Sequence, residues 1–245
     1  MTMEKNRSPV ASAQIRGTED QKIGVRVLYH AIFCPFSRKI RWGLLEKGVV
    51  VHLKEEKLWR PSEDLYAMNP EGGLPVLKDG HFVIVKSYPL LEYLEENPSF
   101  PSLLGHSCEE RAEVRRLVDW FDGKFYEEVT RNVFHEKIFK RHMGQGGPDS
   151  YLLKQGRTLI HDHLEYIGWL FDRRNWLGGN SFSWADITAA SHLSCLDYLG
   201  DVPWEKHLLA KDWYMRVKSR PHFRPFLQEH LLQVPPSPHY RLLDF

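Results

Sequence analysis

Strand patterns and helix patterns alternate in the first part of this 245-residue chain, and strand patterns almost vanish after residue 97. From residue 24 to residue 97 the order is strand, helix, strand, helix, strand, strand, helix. The first strand–helix–strand crossover requires a parallel pair of strands, whereas the Asp79-Gly80 turn requires an antiparallel pair. The sequence therefore predicts an α/β domain with a mixed sheet, followed by an all-α domain.

Polar and turn-forming stretches set the boundaries of these units. Residues 1–23 are polar and lack the apolar core of a signal peptide, which predicts a disordered N-terminal extension. The α/β domain then covers 24–97. Two prolines and a glycine predict a linker at 98–106, which leaves 107–231 for the helical domain and 232–245 for a proline-rich tail.

Two capping boxes predict helix starts in the second domain. Ser107 is followed three residues later by Glu110, and Ser183 by Asp186, so each serine is suited to cap a helix. The helix that begins after Ser183 is expected near 184–199, and two further helices are expected near 207–219 and 222–231.

Composition and charge argue against several kinds of function. The net charge is +1 and no nucleic-acid-binding motif is present, so a nucleic-acid partner is not expected. No run of about 18 apolar residues occurs, so membrane insertion is not expected. The 13 histidines lack metal-ligand spacing with cysteine or carboxylate support, and no metal site is predicted. Three cysteines do not make a disulfide framework, which favours a reducing cytoplasm.

Cys34 follows a predicted strand and begins a helix, with Pro35 at the first helical position. Unpaired amides and the positive end of the helix dipole favour a thiolate there. Ser37 stands where a Cys-x-x-Cys pair has its second cysteine, so an ordinary dithiol cycle is excluded, although a mixed disulfide with a small thiol is not. The alternative is that Cys34 only caps the helix.

The Gly73-Leu74-Pro75-Val76 segment joins a loop to a strand. An X-Pro bond at such a place can be cis, which would leave the backbone N–H and C=O of Leu74 free for an extended ligand. The alternative is a trans Pro75 that merely begins the strand.

Several motifs, in this order, resemble the cytosolic glutathione-transferase superfamily over residues 24–230. They are CPFS at a helix start, NPEGGLPVL, a hairpin, a serine separated by five residues from Tyr-Leu, a linker and a helical domain. The resemblance implies a thioredoxin-like domain before the helical domain, usually in a dimer. It also implies a glutathione site in which Leu74 and cis-Pro75 contact the peptide backbone and Ser87, at a helix start, binds the γ-glutamyl carboxylate. Family members commonly carry Glu or Gln where this chain has Lys86. The charge of Lys86 would repel a glutathione ammonium that lay close to it; the alternatives are that Lys86 pairs with the free carboxylate or points to solvent.

Longer stretches resemble one branch of that superfamily, the bacterial cell-division proteins of the FzlA type, which bind the tubulin-like filament protein FtsZ. These stretches are EEKLWRPSEDLYAMNPEG, WADITAASHLSCLDYLGDVPW and the final PHYRLLDF. The resemblance implies a homodimeric scaffold at the cytoplasmic division site that binds FtsZ polymers, promotes constriction and requires no cofactor. The alternative is a glutathione S-transferase or thiol transferase with glutathione as substrate, in which Cys34 is the nucleophile or Ser37 donates a hydrogen bond to the glutathione sulfur.

The tail and one tryptophan carry the candidate partner contacts. The PPSP segment favours an extended arm, and aromatic residues such as those after it are common binding anchors. The predicted partner contacts are Trp59, His239, Tyr240, Leu243, Asp244 and Phe245. The alternatives are that the tail docks on the helical domain and that Trp59 belongs to the core or to a dimer interface. The basic stretch 137–142 would meet an acidic filament surface or form a solvated helix face.

Overall fold

The computed structural model describes residues 25–245, so the predicted extension at 1–23 lies outside the described residues. Within that range one mixed sheet is formed by β1 (Arg26–His30), β2 (His52–Glu55), β3 (Val76–Asp79) and β4 (Phe82–Val85). The order across the sheet is β2-β1-β3-β4; β1 and β2 are parallel, whereas the other two pairs are antiparallel. The predicted crossover and the predicted hairpin are both present, and the α/β fold class of the first domain is confirmed.

The helices of the first domain are α1 (Pro35–Glu46), α2 (Glu63–Met68) and α3 (Ser87–Glu96). Pro35 begins α1 because its fixed φ suits a helix start and its missing N–H needs no partner there. Gly48, with a φ of 67°, follows the last turn of α1 in the left-handed conformation that glycine tolerates.

The start of α3 lies at Ser87, the residue that the sequence analysis places at a helix start. Ser87 is already the first helical residue, and Lys86 precedes the helix. Lys86 has a φ of 68°, and its N–H donates to the carbonyl of Pro75 at 3.2 Å. The chain therefore turns from β4 into α3 at Lys86.

The second domain is built from helices that surround one buried helix. Its elements are α4 (Cys108–Trp120), a π-helical segment (Phe121–Phe139), α5 (Lys140–His142), α6 (Ser150–Arg173), α7 (Trp184–Tyr198), a 3₁₀ turn (Trp204–Lys206), α8 (Leu208–Lys218) and α9 (Arg224–Leu227). Both predicted capping boxes are present, at Ser107 and at Ser183. Every residue of α7 is buried, so this helix is the centre of the domain. None of the helices within residues 25–245 is long and apolar enough to cross a membrane.

The last helix is shorter than the predicted 222–231. It ends at Leu227, and Leu231 and Val234 form an isolated bridge instead of a further turn. The hydroxyl of Tyr198 accepts the N–H of Leu231 at 2.9 Å, so a tertiary contact replaces the helical hydrogen bond at this place.

The two domains meet where α1 packs on α7. Gly43 allows this approach, because a Cβ at its position would lie 1.8 Å from the ring of Trp184. Trp42 and Trp184 are completely buried, and burial of a side chain of this size contributes about 3 kcal/mol. Glu95 accepts hydrogen bonds from Trp184 and from buried Lys47, each at 2.6 Å. These contacts fix the C-terminal half of α1 relative to the helical domain.

Candidate functional site

Cys34 lies directly before α1, as the sequence indicates, but it is buried. Only 4% of its surface is exposed, and its N–H donates to the carbonyl of Ala31 at 3.2 Å. Burial raises the pKa of the Cys34 thiol; hydrogen bonding to Ser37 opposes this effect, and the charge of Asp122 adds to it. The structure contradicts the thiolate suggested by the helix start, because burial removes the water that would solvate the anion.

Ser37 lies one turn into α1 and is completely buried. Its hydroxyl oxygen accepts the N–H of Ala31 at 3.3 Å, so it stabilises the turn between β1 and α1. Cys195 of α7 lies on the other side of this turn and contacts the carbonyl of Phe33 at 3.5 Å. Burial raises the pKa of Cys195 to about 12. The interior thiols of this region are therefore protonated at neutral pH.

The peptide bond between Leu74 and Pro75 is cis, the form that the family resemblance implies. Leu74 is half-buried, whereas Pro75 and the strand after it are buried. Asn69 donates from its side-chain amide to the carbonyl of Gly73 at 2.9 Å, which orders the loop before the cis bond. The cis bond that the family resemblance implies is therefore present in an ordered loop.

Charged side chains surround the start of α3, where the sequence analysis predicts the contact with the γ-glutamyl end of glutathione. The hydroxyl of Ser87 lies 3.5 Å from a carboxylate oxygen of Asp122, where a second carboxylate would meet a like charge. Lys86 pairs with Glu71 at 3.0 Å, and both side chains are largely exposed. The start of α3 therefore places a cation at Lys86 and a carboxylate beside Ser87.

A buried polar network lies beneath Cys34 and Ser87. Asp122 forms an ion pair with Lys39 of α1 and accepts from the Nε2 of His192 at 3.2 Å. The Nδ1 of His192 lies 3.0 Å from the hydroxyl of Thr130. Burial opposes ionisation of Asp122, but Lys39 and His192 outweigh burial and lower its pKa. Burial lowers the pKa of His192, so the network holds a carboxylate and a neutral imidazole.

An apolar cleft of about 400 Å³ lies between the two domains. It is lined by residues 31–33, by 55–59, by one face of 134–142 and by 230–232. None of the predicted catalytic or glutathione-site residues lines it. At its mouth the ring of Trp59 stacks on the ring of His142, with centroids 4.0 Å apart.

The sequence analysis identified Trp59 and included Ile138 and Phe139 only as part of the basic stretch 137–142. It missed Phe134 and Leu231, which also line the cleft. Their helical spacing predicts burial, and the sequence has no signal that separates a core face from a cleft wall. The basic stretch next to them is largely neutralised: Lys140 pairs with Glu136 at 2.8 Å and Lys137 pairs with Asp201.

The tail docks on the helical domain, which is the alternative that the sequence left open. Tyr240 is completely buried; its hydroxyl donates to the carbonyl of Phe226 at 3.1 Å and accepts from Arg38 at 3.3 Å. His239 is half-buried and contacts Asp197 at 2.8 Å. In this state Tyr240 is not available to a partner, because its whole surface is covered by the protein itself.

The last residues of the tail are less deeply buried than Tyr240. Leu243 and Phe245 are half-buried against the helical domain, and the ring of Phe245 lies 5.7 Å from that of Trp204. Asp244 is exposed. A partner contact is therefore accessible at Asp244 and on the free faces of Leu243 and Phe245.

Each of the two domains matches the model of a known protein family. Residues 28–102 match the N-terminal domain of glutathione S-transferase, and residues 137–221 match its C-terminal domain. The chain is 43% identical over 224 residues to FtsZ-localized protein A of Caulobacter vibrioides, covering 90% of this chain and 98% of that protein. It is 28% identical to dichloromethane dehalogenase of Methylophilus leisingeri, covering 63% of this chain and 59% of that protein.

Solved structures give the same picture of the fold. A glutathione S-transferase from Rhodospirillum rubrum F11 has a TM-score of 0.87 and 50% identity, covering 90% of this chain and all of that one. FzlA from C. crescentus has a TM-score of 0.86 and 43% identity with the same coverage. A glutathione S-transferase from Sinorhizobium meliloti 1021 has a TM-score of 0.84 and 39% identity, covering 91% of this chain and all of that one.

Proposed function

This chain belongs to the glutathione S-transferase family, and from this premise we propose that it is a scaffold that binds FtsZ filaments rather than a transferase. The observation that carries the proposal is the 43% identity to FtsZ-localized protein A over 98% of that protein. The structural similarity to FzlA, with a TM-score of 0.86, extends over the same share of the chain. In this role the protein acts at the cytoplasmic division site, promotes constriction and needs no cofactor.

The chemistry around Cys34 supports a scaffold. A thiol transferase needs a thiolate that solvent and substrate can reach. Cys34 is buried, its pKa is raised, and a carboxylate of the network beneath it disfavours a second negative charge. A transferase that instead activates the glutathione thiol needs an accessible hydroxyl, and Ser37 is buried and bonded to the backbone.

The cleft between the domains is the surface that we assign to the filament. It is largely apolar, and Trp59 offers a large aromatic face at its mouth, which is typical of a binding anchor. Both domains contribute to it, so a partner that binds there contacts the fold as a whole. We take the active form to be a homodimer, as the family resemblance implies.

Co-sedimentation with GTP-assembled FtsZ from the same organism, with and without millimolar glutathione, tests this function. The scaffold proposal expects clear co-pelleting that glutathione does not change. Absence of the protein from the pellet at micromolar concentrations of both proteins would contradict it.

A glutathione-dependent transferase is the second candidate. The cis Leu74–Pro75 bond favours it, and so do the two solved relatives, 50% and 39% identical, that are described as glutathione S-transferases. Conjugation of glutathione to a generic aryl halide measures it directly. Turnover that Cys34→Ala or Ser37→Ala abolishes would support this candidate, and turnover no faster than the uncatalysed reaction would exclude it for that substrate class.

A further inference from the structure

The docked tail lies over a floor of charged side chains. The N–H of Ser237 donates to the carbonyl of Tyr198 at 2.8 Å, and Nε2 of His239 lies 2.8 Å from a carboxylate oxygen of Asp197. The ammonium of Lys218 donates to the carbonyl of His239 at 3.2 Å. The side chains of Asp197 and Lys218 are completely buried, in part beneath this segment.

Burial of the two charges in this floor opposes the docking of the tail, whereas the contacts that His239 makes with both side chains favour it. Asp197 and Lys218 lie 3.8 Å apart, and Oδ2 of Asp197 has no hydrogen-bond partner among the described residues. Burial lowers the pKa of Lys218 to about 8, although Asp197 acts in the other direction. Water would solvate both charges if the tail left, so their dehydration weakens the closed state. An apolar floor would have no such preference for the open state.

Aromatic contacts of the tail hold it closed. Tyr240 is completely buried and is bonded to Arg38 and to the carbonyl of Phe226. The ring of Phe245 covers Lys218, whose ammonium lies 4.3 Å from the ring centroid. Two opposing sets of interactions therefore act on the same segment, which is the requirement for an element with two accessible states.

Tyr198 connects this segment to the cleft. Its ring lies 4.4 Å from that of Phe33 and 5.1 Å from that of Tyr240. Its hydroxyl accepts the N–H of Leu231, and its carbonyl accepts the N–H of Ser237. Phe33 and Leu231 line the cleft, so one side chain contacts both the cleft wall and the tail.

We propose that residues 235–245 form a releasable strap, and that a filament bound in the cleft opens the strap through Tyr198. The coupling to the cleft rests on the proposed function, whereas the two states of the strap do not. Opening hydrates Asp197 and Lys218 and exposes Tyr240 and Phe245 at the end of a proline-rich arm. The open strap then offers a short aromatic segment, ending in Asp244 and the terminal carboxylate, to an apolar surface with basic neighbours.

Hydrogen–deuterium exchange of the full-length protein tests the strap. The N–H groups of Tyr240 and Leu242 donate within the tail, at 3.1 and 3.0 Å, and report its closure. They should exchange at least about a hundredfold faster than the amides of α7, because local opening needs less free energy than global unfolding. His239→Ala should raise the exchange rates of these two amides about tenfold above their rates in the wild type, because it removes the contact between His239 and Asp197. Exchange of the tail at the rate of α7 would overturn the strap.

The matched control is His222→Ala. His222 is half exposed and contacts only Glu46 among the described ionic partners, at 3.3 Å, so its loss should leave the tail unchanged. If the two histidine substitutions accelerate exchange of the tail amides equally, the cause is a general loss of stability. That result would also overturn the proposal of a releasable strap.

A reversible disulfide tests the coupling. A Cβ at Gly200 would lie 3.5 Å from the Cβ of Ser237, within the range of a disulfide. Gly200→Cys with Ser237→Cys, in a Cys108→Ser background, locks the strap when oxidised and frees it when reduced. Gly200 has a φ of 71°, which other residues disfavour, so a cysteine there strains the backbone even without a disulfide. Gly200→Cys alone is the control for this strain.

The oxidised protein should co-pellet with filaments about fivefold more weakly than the same protein after reduction. Equal affinity of the two forms would overturn the coupling. If neither the reduced protein nor the wild type binds filaments, the proposed function fails and with it the coupling, while the exchange experiment still decides whether the strap exists.

Discussion

The ring of Trp59 lies flat against the ring of His142, with centroids 4.0 Å apart and planes within 7° of each other. Trp59 belongs to the loop after β2, and His142 ends α5, so this stack connects the two domains across the mouth of the cleft. Both rings are half-buried. A stack of this kind holds an aromatic face in a fixed orientation while part of it stays accessible, which suits a binding anchor.

Trp59→Ala should lower the affinity for FtsZ filaments by about tenfold or more, because truncation of an aromatic anchor removes most of its contact area. The far-ultraviolet circular dichroism should stay unchanged. Trp169→Ala is the matched control, since Trp169 is 50% exposed on α6 and does not line the cleft. Co-sedimentation titrations of the two variants decide the matter, and equal affinities would remove the cleft from the filament surface.

The reactivity of the cysteines should follow their burial. Cys108 is exposed and should react with iodoacetamide within minutes, whereas Cys34 and Cys195 should react only in denaturant. Because burial raises the pKa of Cys34, its alkylation should remain slow up to pH 9 in the native protein. Peptide mass mapping after timed labelling measures this order. Labelling of Cys34 at neutral pH as fast as that of Cys108 would restore the enzymatic interpretation.

Sequence patterns predict most of this fold because they report local physical requirements. The Asp79-Gly80 hairpin, Pro35 at a helix start and the capping boxes at Ser107 and Ser183 each depend on a few neighbouring residues. The end of α9 at Leu227 depends on a tertiary contact with Tyr198, and no local pattern contains it. The sequence analysis therefore extended α9 four residues too far at its C-terminal end.

The candidate site is less predictable because burial decides its chemistry. The Cys34 motif indicates a thiolate, and this inference holds only if water reaches the sulfur. The covering of Cys34 comes from residues distant in sequence, including α7, and the charge of Asp122 comes from a residue 88 positions later. Likewise, the aromatic tail predicts a binding segment, but only the structure reveals that Tyr240 is buried against Arg38.

The ion pair between Lys39 and Asp122 should be important for stability. The side chain of Lys39 is completely buried, so Asp122→Asn leaves an unpaired charge and should lower the free energy of unfolding by about 3–5 kcal/mol. Lys39→Met combined with Asp122→Asn should recover more than half of that loss, since no charge is left buried. Urea denaturation of the wild type, Asp122→Asn, Lys39→Met and the double variant measures both effects. If the losses of the two single variants simply add in the double variant, the pairing is contradicted.

The same ion pair predicts a pH dependence. Burial opposes ionisation of Asp122, yet Lys39 and His192 lower its pKa below the ordinary value. A carboxyl group with a lowered pKa contributes stability that is complete above its unfolded pKa, near pH 4, and that is lost as the pH falls through the lowered value. The wild type should therefore lose more stability between pH 5 and pH 3 than Asp122→Asn does. Equal losses would show that Asp122 does not titrate in this way.

Lys86 gives the sharpest test of whether this fold retains glutathione binding. The side chain is exposed and paired with Glu71, so Lys86→Gln should fold normally and change little besides the local charge. If the cation repels the glutathione ammonium, the substitution should strengthen glutathione binding by about threefold to tenfold in isothermal titration at low salt. Lys78→Gln, an exposed lysine on β3, controls for net charge. Wild-type protein that already binds glutathione at micromolar concentrations would show that Lys86 is compatible with the ligand, and the transferase candidate would then take precedence over the scaffold.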